Sequence, residues 1–298
     1  MSLALVYPDT TIWNALCDED VDAKGLANEL AARQSQLVLG TNVVYEMAKT
    51  FLGTRLSAAE RGKRLFAYLS HYVQLQIPLL RQSDDLLRAE VGHVTKQTIE
   101  VRLFYDRANY EKLILEVSKL AQGVFDSRAA YFIPNREADA RKAREELYAH
   151  IDKRPLLKQK LTTVSDTDID SWIRRALKEH AARRMLSGHL AAVLSESSLK
   201  DLTRIAKQLL ASPRYGVAHA MVGSDLYLNW RYCRRGSLGK DIPDDNYHIV
   251  NASHCEAFVT SDPELAAYAK HVLKQTGVFL YRRDAPVLNW LKDIAAEL

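Results

Sequence analysis

The sequence predicts an α/β protein: a three-layer α/β/α domain with a central parallel sheet, interrupted by a large α-helical insertion. Three observations predict it. Short apolar runs with no helical period occur near both ends of the chain, as buried parallel strands do. Two of these runs end in an aspartate-containing turn that leads straight into a helical pattern. Between residues 95 and 225 such runs become scarce and sustained helical periods take over.

Residues 3–7 (LALVY) read as the first strand, followed by Pro8-Asp9-Thr10-Thr11 and a helix beginning near Ile12. A polar helical pattern continues to about Arg33. Residues 36–39 (QLVL) form a second strand, and Thr41 or Asn42 caps a helix with an apolar stripe of Val43, Met47 and Phe51. Glu46 lies one turn into it. Ser57 and Glu60 make a capping box for a helix running to about His71. Residues 73–77 (VQLQI) alternate and read as a third strand; Pro78 breaks the chain and helix resumes over 84–91. Helical periods then cover 99–122, 135–151, 168–186 and 198–210, with breaks at Arg154-Pro155 and Ser212-Pro213. Leucines and aromatics recur along them, as in a packed insertion. Arg231, Arg234, Arg235 and Lys240 flank Gly236 and Gly239, which reads as a flexible basic loop. A short helix opens at or just after Asp245. Residues 257–260 (AFVT) are a buried strand, Ser261-Asp262-Pro263 turns into a helix, 278–281 is the last strand, and a terminal helix begins at Pro286. The ends, 1–92 and 230–298, thus form one discontinuous domain around the 95–225 insertion.

The chain has 298 residues and is 47% hydrophobic, enough for a sizeable core. No apolar run is long enough to cross a membrane, and the N-terminus lacks a basic region followed by a long apolar stretch, so a soluble, cytoplasmic protein is expected. Three scattered cysteines argue against a disulfide framework or zinc knuckle. A net charge of +4 and a pI near 8.8 permit a polyanionic partner. Two basic clusters stand in the insertion. Acids interleave the one at Arg136, Arg141, Lys142 and Arg144, whereas the one at Arg174, Arg175, Lys178, Arg183 and Arg184 is one-sided and starts beside Trp172, a weak signal for phosphate contact.

Four acids stand together in this reading: Asp9, Asp245 and Asp262 at ends of predicted elements and Glu46 one turn into its helix, with Thr10 and Thr260 nearby. Open parallel sheets place their sites at the carboxyl ends of strands. Each aspartate alone also reads as a helix cap, and Glu46 alone as a surface residue. Together they offer hard oxygen donors, which suit a divalent cation that keeps water ligands. Thr260 has a hydroxyl within reach of a carboxylate or an attacking water. His248 reads as a packed residue. The basic loop Arg231–Lys240 delivers the chain into Asp245 and is the best candidate for substrate contact. No Ser-His-Asp order, P-loop or GxGxxG is present, which argues against acyl transfer, nucleotide hydrolysis and dinucleotide redox.

The strand-Asp9 opening, LVLGTNVVYEMAK with Glu46, and DNYHIVNASHCEAFVTSDPEL together resemble the PIN-like nuclease family. The resemblance covers roughly residues 1–92 and 230–298; the insertion departs from it. It implies a PIN-like fold in which Asp9, Glu46, Asp245 and Asp262 gather at one sheet edge and hold Mg²⁺ or Mn²⁺, with Glu256, close to the AFVT strand, as a candidate fifth member. The implied activity is endonucleolytic phosphodiester hydrolysis, of RNA more than DNA, with Thr260 in the catalytic set and Thr10, Arg231, Arg234, Arg235 and Lys240 on the substrate. A regulatory protein partner is allowed. The alternative is a catalytically silent PIN-like module that binds nucleic acid or protein through the insertion. A phosphoryl-accepting receiver also gathers aspartates at strand ends, but Arg282-Arg283 follow the last strand where it needs a lysine.

Overall fold

The structure, a computed structural model, describes residues 3–53, 57–95, 103–124, 138, 141–142, 144–194, 198–239 and 242–298. Four strands form a parallel sheet: β1 (Ala4–Pro8), β2 (Ser35–Leu37), β5 (Ala257–Thr260) and β6 (Gly277–Leu280), ordered β2-β1-β5-β6. Beyond β2 the chain kinks at Val38, whose N–H still reaches the Val6 carbonyl, and β3 (Leu39–Gly40) pairs in parallel with β4 (Leu79–Leu80). The expected third strand over 73–77 is absent. Helix α4 (Ser57–Gln74) runs through Val73, Gln76 turns at φ 56°, and the strand begins only after Pro78. Leu75 is 40% exposed, so the alternation seen in the sequence is a helix end and not a buried strand.

Successive side chains on a strand point to opposite faces, and both faces of this sheet are covered by helices. Val6, Ala257 and Val259 join one core with α1 (Thr10–Asp18), α2 (Ala23–Ala32), α3 (Thr41–Lys49), α4, α6 (Arg107–Ala121) and α14 (Val287–Glu297). Leu5, Tyr7 and Phe258 face the other core. There they meet α5 (Ser83–Thr95), the 144–152 helical stretch, α7 (Pro155–Thr162), α8 (Ile169–Ala176), α9 (His180–Val193), α10 (Leu199–Leu210), α11 (Gly216–Arg235), α12 (Ile242–Ala252) and α13 (Pro263–Val272). Among the described residues the middle region is helical apart from turns and one isolated bridge, Leu80 to Phe104. It divides between the two faces: α6 packs on α4, and the later helices share their core with the sheet. The anticipated edge of the insertion near 225–230 falls inside α11. The pattern over 168–186 resolves into two helices, α8 and α9, and the beginning of the 135–151 pattern lies outside the described residues.

One buried acid ties these helices together. Glu90 on α5 accepts the Val217 and Ala218 N–H groups, both at 2.9 Å, and so caps the start of α11. Burial raises its pKa to about 7 against the lowering effect of those two bonds. A folded-state pKa above the unfolded one gives stability that is present below the unfolded value, about 4.3, and lost as pH rises through 7. The fold is therefore expected to weaken by up to about 3 kcal/mol between pH 4.5 and 7. Glu90→Gln should flatten that part of the curve, as urea melts at pH 5, 6 and 7 would show; an unchanged slope assigns the dependence elsewhere.

Candidate functional site

Connections leave β1 toward β2 on one side, and the later pair β5-β6 lies on the other. The carboxyl ends of β1 and β5 therefore flank the point where the winding changes direction, the place where open α/β sheets bind ligands. A cleft of about 290 Å³ opens there. It is lined by Asp9, Thr10, Thr11, Glu46, Lys49, Asp245, His248, Asp262 and Leu265. All four acids named from the sequence line this one cleft.

Asp9 ends β1 and caps α1. It is 2% exposed. Its Oδ1 accepts the Ile12 N–H (3.1 Å) and the Thr11 hydroxyl (2.6 Å), and its Oδ2 accepts the Thr260 hydroxyl (2.6 Å). Burial raises its pKa, partly offset by the charge on His248 and by these bonds. Thr260 is fully buried and takes the Asp262 N–H at 2.9 Å. Of the two roles open to it, it binds a carboxylate. Thr11, unmarked in the sequence, also accepts the Ser261 N–H (2.8 Å) and so ties the two strand ends together.

Asp262 is an N-cap as its Ser-Asp-Pro context predicts, accepting Glu264 N–H at 2.7 Å and Leu265 N–H at 3.1 Å. Both caps fall on Oδ1. Asp245 is not at a helix start: α12 begins at Ile242, with Pro243 in its first turn, and Asp245 follows one turn in. Helix α3 likewise starts without a side-chain cap from Thr41 or Asn42, since Gly40 holds the capping position. Asn42 is buried and donates to Glu46 Oε1 at 3.2 Å instead.

Glu46 is the centre of a second network. Thr10, expected to face substrate, donates its hydroxyl to Glu46 Oε2. His248 Nε2 lies 3.0 Å from the same oxygen, and its Nδ1 lies 2.9 Å from the Tyr7 hydroxyl. Burial opposes charge on both partners, yet their mutual attraction wins. His248 is held protonated, its pKa raised to about 9, and Glu46 ionised, its pKa lowered to about 2. His248 is packed, as the sequence suggested, and it is also charged. Four carboxyl groups thus face two cationic side chains, Lys49 and protonated His248, in the cleft. Lys49, one turn beyond Glu46, was missed by sequence reasoning; its i, i+3 spacing from Glu46 is the signal that marks it.

Tyr7 is held by its neighbours. A Cβ built on Gly40 would stand 2.5 Å from the Tyr7 hydroxyl oxygen and 2.8 Å from Cε2. Tyr7 is fully buried and has nowhere to go. Gly40→Ala is expected to cost about 1–3 kcal/mol by overpacking, read as a lowered urea midpoint at unchanged m; an unshifted midpoint would show that the ring yields.

The remaining candidates lie elsewhere. Arg231, Arg234 and Arg235 are not in a loop: they form the last turns of α11, which ends at Gly236 in the left-handed conformation (φ 75°). Arg231 is buried and pairs with Glu264, and Arg235 reaches the other oxygen of Glu264 at 3.1 Å. Arg234 points to Asp166, 3.5 Å away. Lys240 lies outside the described residues. Glu256 precedes β5, at the opposite edge of the sheet from the cleft. It accepts the Leu5 N–H at 2.6 Å, which removes it from the acid set. Among the described residues no three histidine, cysteine or acidic side chains stand close enough to grip one ion. Nor is any helix long and apolar enough to cross a membrane. Compared with family models, curated proteins and solved structures, the chain finds no match.

Proposed function

We propose that the chain is a metal-dependent endonuclease of the PIN-like kind, with a three-layer core, acting on RNA in preference to DNA. The observation that carries this reading is the convergence of Asp9, Glu46, Asp245 and Asp262, from four separate segments, on one cleft at the switch point of a parallel sheet. The donor set fits Mg²⁺ or Mn²⁺: all hard oxygens, from four acids that outnumber the two cations beside them. The acids as a set stand too far apart to hold an ion without drawing together. Asp9, Glu46, Asp245 and Asp262 would hold it. Bound there, a divalent ion supplies charge neutralisation at phosphate and a more acidic water.

The chain's own residues prepare that site. Thr11, Thr260 and the Ile12 N–H orient Asp9. Thr10, Asn42 and His248 orient Glu46 and keep it ionised. Lys49 presents a cation to an incoming phosphate. Arg235, on the α11 end near Asp262, is the most exposed of the arginines first expected to meet substrate.

A silent module that binds nucleic acid or protein is the second reading. It is favoured by one observation: both oxygens of Asp9 and of Glu46 are already engaged by protein donors. Cleavage of labelled RNA and single-stranded DNA by the purified protein, with Mn²⁺, Mg²⁺ or EDTA, separates the two. Cation-dependent product from RNA supports the nuclease; binding without product under every cation leaves the silent module.

A further inference from the structure

Helix α13 begins at Asp262 in the acidic cleft and ends against a second, smaller cavity of about 70 Å³, lined by Arg174, Gly216, His219, Val272 and Lys274 among others. Ten residues separate the two, about 15 Å at ~1.5 Å per residue. The solvent edge of α13 runs through Glu264, Ala267 and Lys270, and continues to Lys274. At its near end the single acid on that edge, Glu264, is held between Arg231 and Arg235. At its far end Lys274 and Arg174 line that cavity, with Lys270 one turn before Lys274 on the exposed edge, and Arg174 belongs to the one-sided basic cluster that stood out in the sequence. The acid among them is Asp170, paired with His271 at 2.6 Å and Lys274 at 3.1 Å.

The geometry points to α13 as the track of the substrate strand, with Arg174 and Lys274 forming a phosphate subsite at its far end. This rests on the nuclease reading for what happens in the cleft. A strand with one phosphate in the cleft lies along the exposed edge of α13, and a second backbone phosphate meets Arg174 and Lys274. At ~3.4 Å per stacked nucleotide, 15 Å is about four nucleotides. A merely solvated basic face has no such length requirement.

The test uses the full chain and fluorescent RNAs of three and twelve nucleotides, followed by anisotropy and by product formation with Mn²⁺. Wild type is expected to bind the dodecamer at least ~10-fold more tightly than the trimer. The double variant Arg174→Gln, Lys274→Gln should lose most of that advantage, and its log–log salt slope for the dodecamer should fall by about 1.4, ~0.7 for each single-strand contact. Trimer cleavage, which reports the cleft alone, should keep its kcat/KM. Equal binding of the two lengths by wild type overturns the track, as does a double variant that retains the dodecamer advantage. Lys270→Gln, on the same edge and outside the Asp170 pairs, carries the test if the double variant melts early. Length-dependent binding that vanishes in the variant, with no cation-dependent product from either RNA, sinks the nuclease reading and leaves the track standing.

Discussion

Asp9→Asn is expected to lower cation-dependent cleavage by more than ~100-fold, since changes one step out from a metal's ligands already cost 10–100-fold. The fold should survive. Asn caps a helix as well as Asp, so the Ile12 N–H keeps its acceptor. Burial penalises the charge on Asp9, so the neutral amide should match or exceed wild type in stability at neutral pH. Asp245→Asn should behave alike in activity. A cation at a hundred times its Kd stabilises wild type by about 2.7 kcal/mol, a gain that should shrink in both variants. Thermal melts with and without Mg²⁺, beside a cleavage assay, read all three effects. Full activity in Asp9→Asn would return that aspartate to a capping role and end the metal proposal.

The largest stability effect is expected at His248. Its ring joins Glu46 and Tyr7, and it is 2% exposed. His248→Ala strands the Glu46 carboxylate without its cation, and breaking a buried pair from one side costs about 3–5 kcal/mol. For a chain of this size the melting temperature should drop by on the order of 10 °C. Mg²⁺ should restore more stability to the variant than it adds to wild type, because it replaces the lost positive charge. A variant that melts with wild type, or one indifferent to Mg²⁺, contradicts this account.

What the sequence revealed follows from how far each signal reaches. Strands β1 and β5 were visible because a strand buried on both faces is apolar throughout, as LALVY and AFVT are; β6 is a half-buried edge strand whose short apolar run still stood out. Asp9 and Asp262 were visible because a charged residue at a strand end is conspicuous by type alone, whereas Glu46 and Asp245 lie within helices and stood out only through the motifs around them. Their partners were not: Thr11 to Ser261 and Tyr7 to His248 span some 250 residues, and no local pattern encodes them. The arginines at 231–235 were misassigned through Gly236. A glycine after basic residues reads as loop, yet at a helix end it is the left-handed residue that stops the helix, and the buried run Leu226, Tyr227, Leu228, Trp230 and Tyr232 belongs to the helix before it. Pro243 carried the matching signal for α12, since proline is tolerated in a first turn, and it placed Asp245 inside the helix. β4 is two residues long, too short for any period.

The pairing of β1 with β5, Val6 opposite Ala257, has a consequence in time. A ribosome adding about 5–20 residues per second needs on the order of 10–50 seconds to pass from one strand to the other. Throughout that interval β1 has β2 on one side and nothing on the other, an open edge of the kind that invites mispairing. Asp9 waits equally long for Thr260. A nascent chain of this protein therefore carries an unfinished cleft, and its four acids come together only after residue 262 has emerged and docked. On the proposed RNA-cleaving reading, that delay would keep the nascent chain inactive toward its own message.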